Sequence, residues 1–176
     1  ILLKFKPEIV LNCAAYTNVD GAEDDFKKAN DVNSEGIGNI LSKFDGLFVQ
    51  ISTDYIFDGK NGPYSEFSKS NPINKYGLSK LNGEEIALKM SKKLILIRAN
   101  VIFDLKSKSS FLDWVIKSLK NKKEISVVND QFGNPIWSVD LAKIVFQLIN
   151  NEKRGIFNVG TDKIISRYEF AKLIAV

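Results

Sequence analysis

The chain has no histidine among its 176 residues. That excludes histidine-based nucleophilic triads and histidine-ligated metal centres. One cysteine, Cys13, excludes an internal disulfide framework and fits a reducing compartment, so a cytoplasmic protein is expected. No apolar stretch reaches the ~20 residues that a membrane-crossing helix needs, and no signal peptide is legible. No membrane partner is therefore expected. Internal repeats and low-complexity segments are missing too. Charge of one sign is only mildly in excess: 25 Lys and Arg against 21 Asp and Glu leave +4. Such a balance suits an anionic small molecule such as a nucleotide and gives no support to nucleic-acid binding. The cluster Lys117, Lys120, Lys122 and Lys123 reads as a solvated helix end.

What is present is an ordinary globular composition, 44% hydrophobic and 26% charged. The length suits one domain, or a domain with a small lobe, and is enough for a sizeable core. The chain opens on Ile1 rather than methionine, in a helix-like tail that runs straight into a strand. It reads as a fragment or a processed form.

Along the chain, Glu8 to Cys13 is a short apolar run after Pro7 and reads as a buried strand. Ala14 to Thr17 forms the turn beyond it. Ala22 to Val32 is polar, with Phe26 and Ala29 at helical spacing. Asn33 to Phe44 repeats apolar residues at Ile37, Ile40, Leu41 and Phe44, an amphipathic helix ended by Gly46. Leu47 to Ile51 is the second buried strand, and Gly59 to Pro72 is a loop. Pro72 to Met90 is helical in pattern, with Leu78, Leu81, Ile86 and Leu88 among its apolar residues. Leu94 to Ile97 is a third apolar run, closed by Arg98. Alternating strands and helices of this kind predict an α/β fold, a doubly wound parallel sheet. In such sheets ligands lie beyond the carboxyl ends of the strands. Three polar clusters fall there: Ala14 to Thr17, Ser52 to Tyr55, and Arg98 to Asn100, expected to line one crevice. Further on, Phe111 to Leu119 reads as a helix, Glu124 to Val128 as a short strand and Asn129 to Pro135 as a loop. Val139 to Ile149 is a helix capped by Ser138, and Gly155 to Gly160 a strand. Ser166 caps a last helix.

The chemistry concentrates at two places. Leu47 to Ile51 leads into Ser52-Thr53-Asp54-Tyr55, and Tyr76 and Lys80 follow four residues apart on one helix face. A hydroxyl, a phenol and an ammonium brought together can polarise a carbonyl and give it a proton. The ammonium is expected to favour the tyrosinate and so to make the phenol a stronger acid. Tyrosine and lysine at this spacing are a weak signal alone, since Tyr168 and Lys172 repeat it without a strand-end hydroxyl before them. That second pair reads as helix surface. Thr53 can hydrogen-bond a substrate carbonyl or cap a turn. Asp54 can bind a sugar hydroxyl or form an Asx-turn. Asn12 to Thr17 can lay its backbone against a cofactor, or Ala14 and Ala15 can simply pack tightly. Asn33 can bridge strand-end backbone through water or cap a helix. Gln131, Gly133 and Pro135 can shape a substrate loop or a tight turn.

Four strings resemble the extended short-chain dehydrogenase/reductases and, more narrowly, the dTDP-4-dehydrorhamnose reductase family. They are Asn12-Cys-Ala-Ala-Tyr-Thr-Asn-Val-Asp20, Ser52-Thr-Asp-Tyr-Ile-Phe-Asp-Gly59, Pro72-Ile-Asn-Lys-Tyr-Gly-Leu-Ser-Lys80 and Asn129-Asp-Gln-Phe-Gly-Asn-Pro135. They run in family order across nearly the whole chain. The resemblance implies a Rossmann-like sheet lacking its first strands. Residues 1–100 would be a partial dinucleotide-binding domain, and 101–176 a substrate lobe mixed with returning sheet elements. It implies Thr53, Tyr76 and Lys80 as the catalytic set, and Ala15, Tyr16, Thr17, Tyr76 and Lys80 as contacts to NADPH or NADH. Thr53 and Asp54 would touch a nucleotide-sugar substrate. No metal is implied, and the oligomeric state is open, a homodimer included.

The family's glycine-rich dinucleotide turn would precede Ile1, as would the residue that selects NADH or NADPH. Where such reductases often carry Arg-Thr-Ser-Trp, this chain has Arg98-Ala-Asn-Val101, which removes a stacking surface for the sugar nucleotide. Two neighbouring activities compete. A dehydratase places an Asp-Glu pair after the threonine, and the second position here is Tyr55; a 4-epimerase has no diagnostic residue in the chain. A third reading is a non-catalytic regulatory protein like the β subunit of methionine adenosyltransferase, which shares the subgroup's motifs. Without preceding strands, Glu8 to Cys13 would be an exposed apolar edge. The 176 residues alone are expected to be inactive and poorly soluble; a NADPH titration tests this, and tight binding would contradict it.

Overall fold

A computed structural model describes residues 2–106 and 110–175. It forms two compact units, Ile1–Arg98 with Asn151–Asn158, and Ala99–Asn150 with Val159–Val176.

In the first unit a short helix α1 (Leu2–Phe5) leads to strand β1 (Ile9–Asn12). Helices α2 (Val19–Asp24) and α3 (Phe26–Asn30) follow, then a π-helical turn (Asp31–Glu35) and α4 (Gly36–Leu41). Strand β2 (Leu47–Thr53) passes into a 3₁₀ turn (Asp54–Ile56); after the long loop come α5 (Lys75–Met90) and β3 (Leu94–Ala99). The sheet is parallel, and β7 (Gly155–Val159) returns to its far edge to give the order β1-β2-β3-β7. β1 and β2 pair from Ile9 with Leu47 to Asn12 with Gln50. All six residues of β3 are buried, as continuous apolar runs in a central parallel strand should be. β1 lies at the edge, with Ile9 and Leu11 exposed.

Ile37 and Leu41 of α4 and Ala87 of α5 cover Phe48, Leu94 and Leu96 of the sheet. Burying each of the larger side chains stabilises the fold by about 1.5–3 kcal/mol. The stretch 22–44 is thus more broken than its periodicity suggests. Asp25 ends α2 and caps α3, its side chain accepting from the Lys28 amide, and the π-helical turn then re-aims the chain. Helix α5 starts later than its pattern suggests, because Asn74 takes the cap and its side chain accepts from the Gly77 amide at 2.7 Å. Leu78 and Leu88 of α5 are exposed rather than packed.

The second unit holds β4 (Ile102–Phe103), α6 (Phe111–Lys120), β5 (Phe132–Gly133), β6 (Ile136–Trp137), α7 (Ser138–Asn150), β8 (Ile165–Ser166) and α8 (Arg167–Ile174). β4 pairs in parallel with β6, and β5 antiparallel with β8. Phe170 of α8 packs on Phe103 and Phe111, 5.3 and 5.8 Å between ring centres. Ser166 caps α8 in a reciprocal box with Glu169. Two expectations are corrected. Residues 124–128 form no strand; the Val128 carbonyl instead accepts from the Tyr168 amide at 3.0 Å. Ser138 is itself the first residue of α7 rather than the residue before it, and its hydroxyl donates to the Asp104 carboxylate. No helix among the described residues is long and apolar enough to cross a membrane.

One buried ion pair ties the first unit together. The Arg98 Nη2 and Nε of β3 donate to Glu84 of α5 at 2.8 and 3.1 Å, and both side chains are nearly inaccessible. Removing one partner strands the other charge in the interior. Arg98→Met in the full-length protein should lose about 3–5 kcal/mol in urea unfolding, and pairing it with Glu84→Met should recover most of that. A single variant within about 1 kcal/mol of the parent would show that the pair is not holding the sheet to α5.

Candidate active site

The polar clusters after β1 and β2 meet the first turns of α5. Thr53, the last residue of β2, is buried, and its hydroxyl donates to Asp54 Oδ1 at 3.2 Å while accepting from the Tyr55 amide at 3.2 Å. It therefore does cap a turn, and its side chain also hydrogen-bonds the Tyr76 phenol. Tyr76, buried in the first turn of α5, meets the Tyr55 ring edge-on at 5.7 Å. Gly77 allows this approach: a Cβ there would lie 2.2 Å from the Tyr55 carbonyl oxygen.

Burial pushes the Tyr76 phenol up to about 12, against the lowering influence of the Thr53 hydrogen bond. Asp54 and Tyr55 push it further upward. This corrects the expectation of a stronger acid. The ammonium of Lys80 is engaged elsewhere, donating to the Ile51 carbonyl at 2.8 Å. Tyr76 is thus fully protonated at neutral pH, a proton donor held in reserve.

Lys80 is only 4% exposed. Burial lowers it to about 8, with Glu84 and Cys13 pulling it back up. The Ile51 carbonyl also accepts from Gln50 Nε2 at 2.7 Å, so both of its lone pairs are used. Gln50 in turn accepts from Asn12 Nδ2 at 2.8 Å, and Asn12 Oδ1 accepts from the Ala14 amide at 3.2 Å. A line of hydrogen bonds therefore runs from the turn after β1 to the ammonium. That ammonium keeps two further N–H donors beside the carboxyl ends of β1 and β2, the chemistry a sugar diol would meet. The residues present fit a ribose-bearing cofactor.

In the turn after β1, Ala15 and Tyr16 are half-buried and Thr17 is exposed. Asn33 holds this turn directly, which corrects both earlier readings of it. Its Oδ1 accepts from the Tyr16 amide at 2.8 Å, and its Nδ2 donates to the Tyr16 carbonyl at 3.0 Å and to Ser79 Oγ at 2.9 Å. Asn33 lies in the π-helical turn and caps no helix. Gly83 of α5 lets the helix sit against it, since a Cβ there would fall 2.1 Å from the Asn33 carbonyl oxygen.

Arg98 does not line a crevice as expected. Its guanidinium is turned inward to Glu84 and the Glu66 carbonyl and stacks over Phe57. Ala99 and Asn100 belong to the second unit, where Asn100 packs against Gly133. The segment 129–135 is not all loop, because Phe132–Gly133 is strand β5; beside it Gln131 accepts the Arg167 amide through its carbonyl, and Asn134 donates to the carbonyls of Thr161 and Lys163. Tyr168 and Lys172 form the surface pair anticipated, the ammonium 5.7 Å from the ring centre. Sequence reasoning missed Glu84. Its signal was a carboxylate four residues past Lys80 on the same helical face, and an adjacent glycine.

Among the described residues no group of three or more Cys, Asp or Glu is placed to hold a metal ion. A family model, the RmlD substrate binding domain, matches residues 1–176. The chain is 34% identical over 181 residues to the dTDP-4-dehydrorhamnose reductase of Aggregatibacter actinomycetemcomitans, covering 97% of this chain and 61% of that protein. It is 40% identical over 141 residues to the enzyme of that name from Burkholderia thailandensis, covering 78% and 47%. The crystal structure of dTDP-4-dehydrorhamnose reductase from Bacillus anthracis in complex with NADP superimposes with a TM-score of 0.94 at 35% identity, over 98% of this chain and 63% of that one. The chain thus spans less than two thirds of the length of each of these relatives. Sequence and fold agree along its own whole length, and the chain belongs to the RmlD substrate binding domain family, that of the dTDP-4-dehydrorhamnose reductases.

Proposed function

We propose that the full-length protein reduces the C4 keto group of dTDP-4-dehydro-L-rhamnose, or a related nucleotide-linked keto sugar, in dTDP-rhamnose synthesis. The observation that carries this reading is the hydrogen bond between the Tyr76 phenol and the Thr53 side chain, with Lys80 buried one helical turn away. A bound NADPH or NADH supplies the hydride to the carbonyl carbon. Thr53 holds the carbonyl oxygen, and Tyr76 gives its proton to that oxygen as negative charge develops. A phenol near 12 keeps its proton until an alkoxide forms and then delivers it. Lys80 anchors the cofactor's ribose, Ala15, Tyr16 and Thr17 lie along the cofactor, and Asp54 binds a sugar hydroxyl. The first unit is assigned to the cofactor and the second to the substrate lobe.

Position 55 favours reduction over dehydration. The Tyr55 ring packs on Tyr76, filling the place where an elimination reaction needs a second acid/base group. The reading carries with it a cytoplasmic location, in keeping with the lone thiol of Cys13. A homodimer is a further part of the proposal, to be decided by the mass of the protein in solution.

Tyr76→Phe should lower turnover about 10²–10⁴-fold while leaving NADPH affinity largely intact. Turnover near that of the parent would remove the proposed acid. Lys80 generates a second expectation. Its folded value, about 8, lies below the unfolded 10.5, so between these pH values the unfolded chain binds more protons and stability rises with pH. The full cost of burying the charge, ~3 kcal/mol, is present at pH 7. Lys80→Met should therefore raise the urea midpoint at pH 7 while abolishing turnover, and its advantage should shrink towards pH 10.5. A variant less stable than the parent at pH 7 would contradict this.

A further inference from the structure

The contact between β2 and α5 contains a buried charge that takes no part in the chemistry proposed above. Glu84 lies one turn beyond Lys80 and is 1% exposed. Its Oε1 accepts from Ser52 Oγ at 2.5 Å and from Arg98 Nε at 3.2 Å. Its Oε2 accepts from Arg98 Nη2 at 2.8 Å. Ser52 stands between Ile51, whose carbonyl accepts a hydrogen bond from the Lys80 ammonium, and Thr53, whose side chain bonds the Tyr76 phenol. Three successive strand residues are thus tied to three residues of one helical face, Lys80, Glu84 and Tyr76. A buried ion pair is seldom worth more than well-packed apolar residues of the same volume. Cohesion alone does not call for a carboxylate at this position.

We infer that Glu84 is a positioning residue: its carboxylate, fixed by Arg98, grips Ser52 and sets the register of β2 on α5 that brings Thr53 to Tyr76 and the Ile51 carbonyl to Lys80. Its carboxylate, one turn on along the same helix face, also raises the proton affinity of the buried Lys80 ammonium. The groups around Lys80 allow that assignment. Tyr76 precedes it on α5, and Cys13 approaches from the end of β1. Asp54 and Tyr55, on the 3₁₀ turn, act on Tyr76. Arg98 approaches from β3, and its charge is engaged by Glu84. Glu84 is therefore the carboxylate that acts on Lys80. This inference rests on the catalytic reading above for its effect on turnover, though not for its effect on Lys80.

The test uses the full-length protein with ¹³Cε-labelled lysine. In Glu84→Gln the Lys80 titration should move to lower pH by about one unit, a tenfold change in its proton affinity. The alkaline limb of kcat should move with it. Ser52→Ala leaves the Glu84–Arg98 pair in place and cuts only the tie to the strand. It should lower kcat roughly tenfold with KM for NADPH unchanged, as misplacement of reacting groups does. A Lys80 titration unmoved in Glu84→Gln would overturn the proposal, as would parental turnover in Ser52→Ala. Should Glu84→Gln fail to fold, Ser52→Ala decides. Should the parent protein reduce no nucleotide-linked keto sugar, the catalytic reading fails and the Lys80 titration alone decides the role of Glu84.

Discussion

The docking of α5 on the carboxyl end of β2 is the constraint on which the first unit depends. Three polar ties fix it: the Lys80 ammonium on the Ile51 carbonyl, the Ser52 hydroxyl on Glu84, and the Thr53 side chain on the Tyr76 phenol. Each is directional, so together they specify both the height of the helix along the strand and its rotation. Apolar packing of Ala87 against Phe48 and Leu96 would tolerate small slides that these bonds do not.

Two glycines make this docking possible. Gly77 brings the first turn of α5 onto the Tyr55 backbone, and Gly83 brings the next turns onto the Asn33 backbone. Glycine inside a helix costs about 1 kcal/mol relative to alanine. Here that cost is offset by close contact between backbones. Through Asn33 the same helix holds the turn after β1, since the Asn33 amide bridges the Tyr16 backbone and Ser79. The turn after β1, the end of β2 and the start of α5 are therefore one hydrogen-bonded assembly.

That assembly is not arranged for maximum stability. Lys80 is charged and buried at neutral pH, and Tyr76 is buried with its phenol hydrogen-bonded to one short hydroxyl side chain. Holding such groups out of water strengthens every electrostatic contact among them, because the local dielectric is low. A site of this kind trades folding free energy for preorganisation, as functional sites commonly do.

The parallel α/β architecture was legible in the sequence, since apolar runs such as Leu47 to Ile51 and Leu94 to Ile97 bury both faces of a strand and polar residues mark their ends. So were the placing of Thr53 at a strand end and of Tyr76 and Lys80 on one helix face, because such positions follow from periods of two and 3.6 residues. The direction of the Tyr76 shift was not legible. Spacing places an ammonium one turn away but says nothing of which acceptor it chooses, and the Ile51 carbonyl comes from a different element. Arg98 turning inward to Glu84, Asn33 gripping Tyr16, and the loss of a strand at 124–128 were decided in the same way, by partners distant in sequence. Local pattern determines which elements form and which faces are apolar. Where a buried polar group finds its partner is settled only when the elements meet, because desolvation makes each such group take whatever the packed neighbours offer.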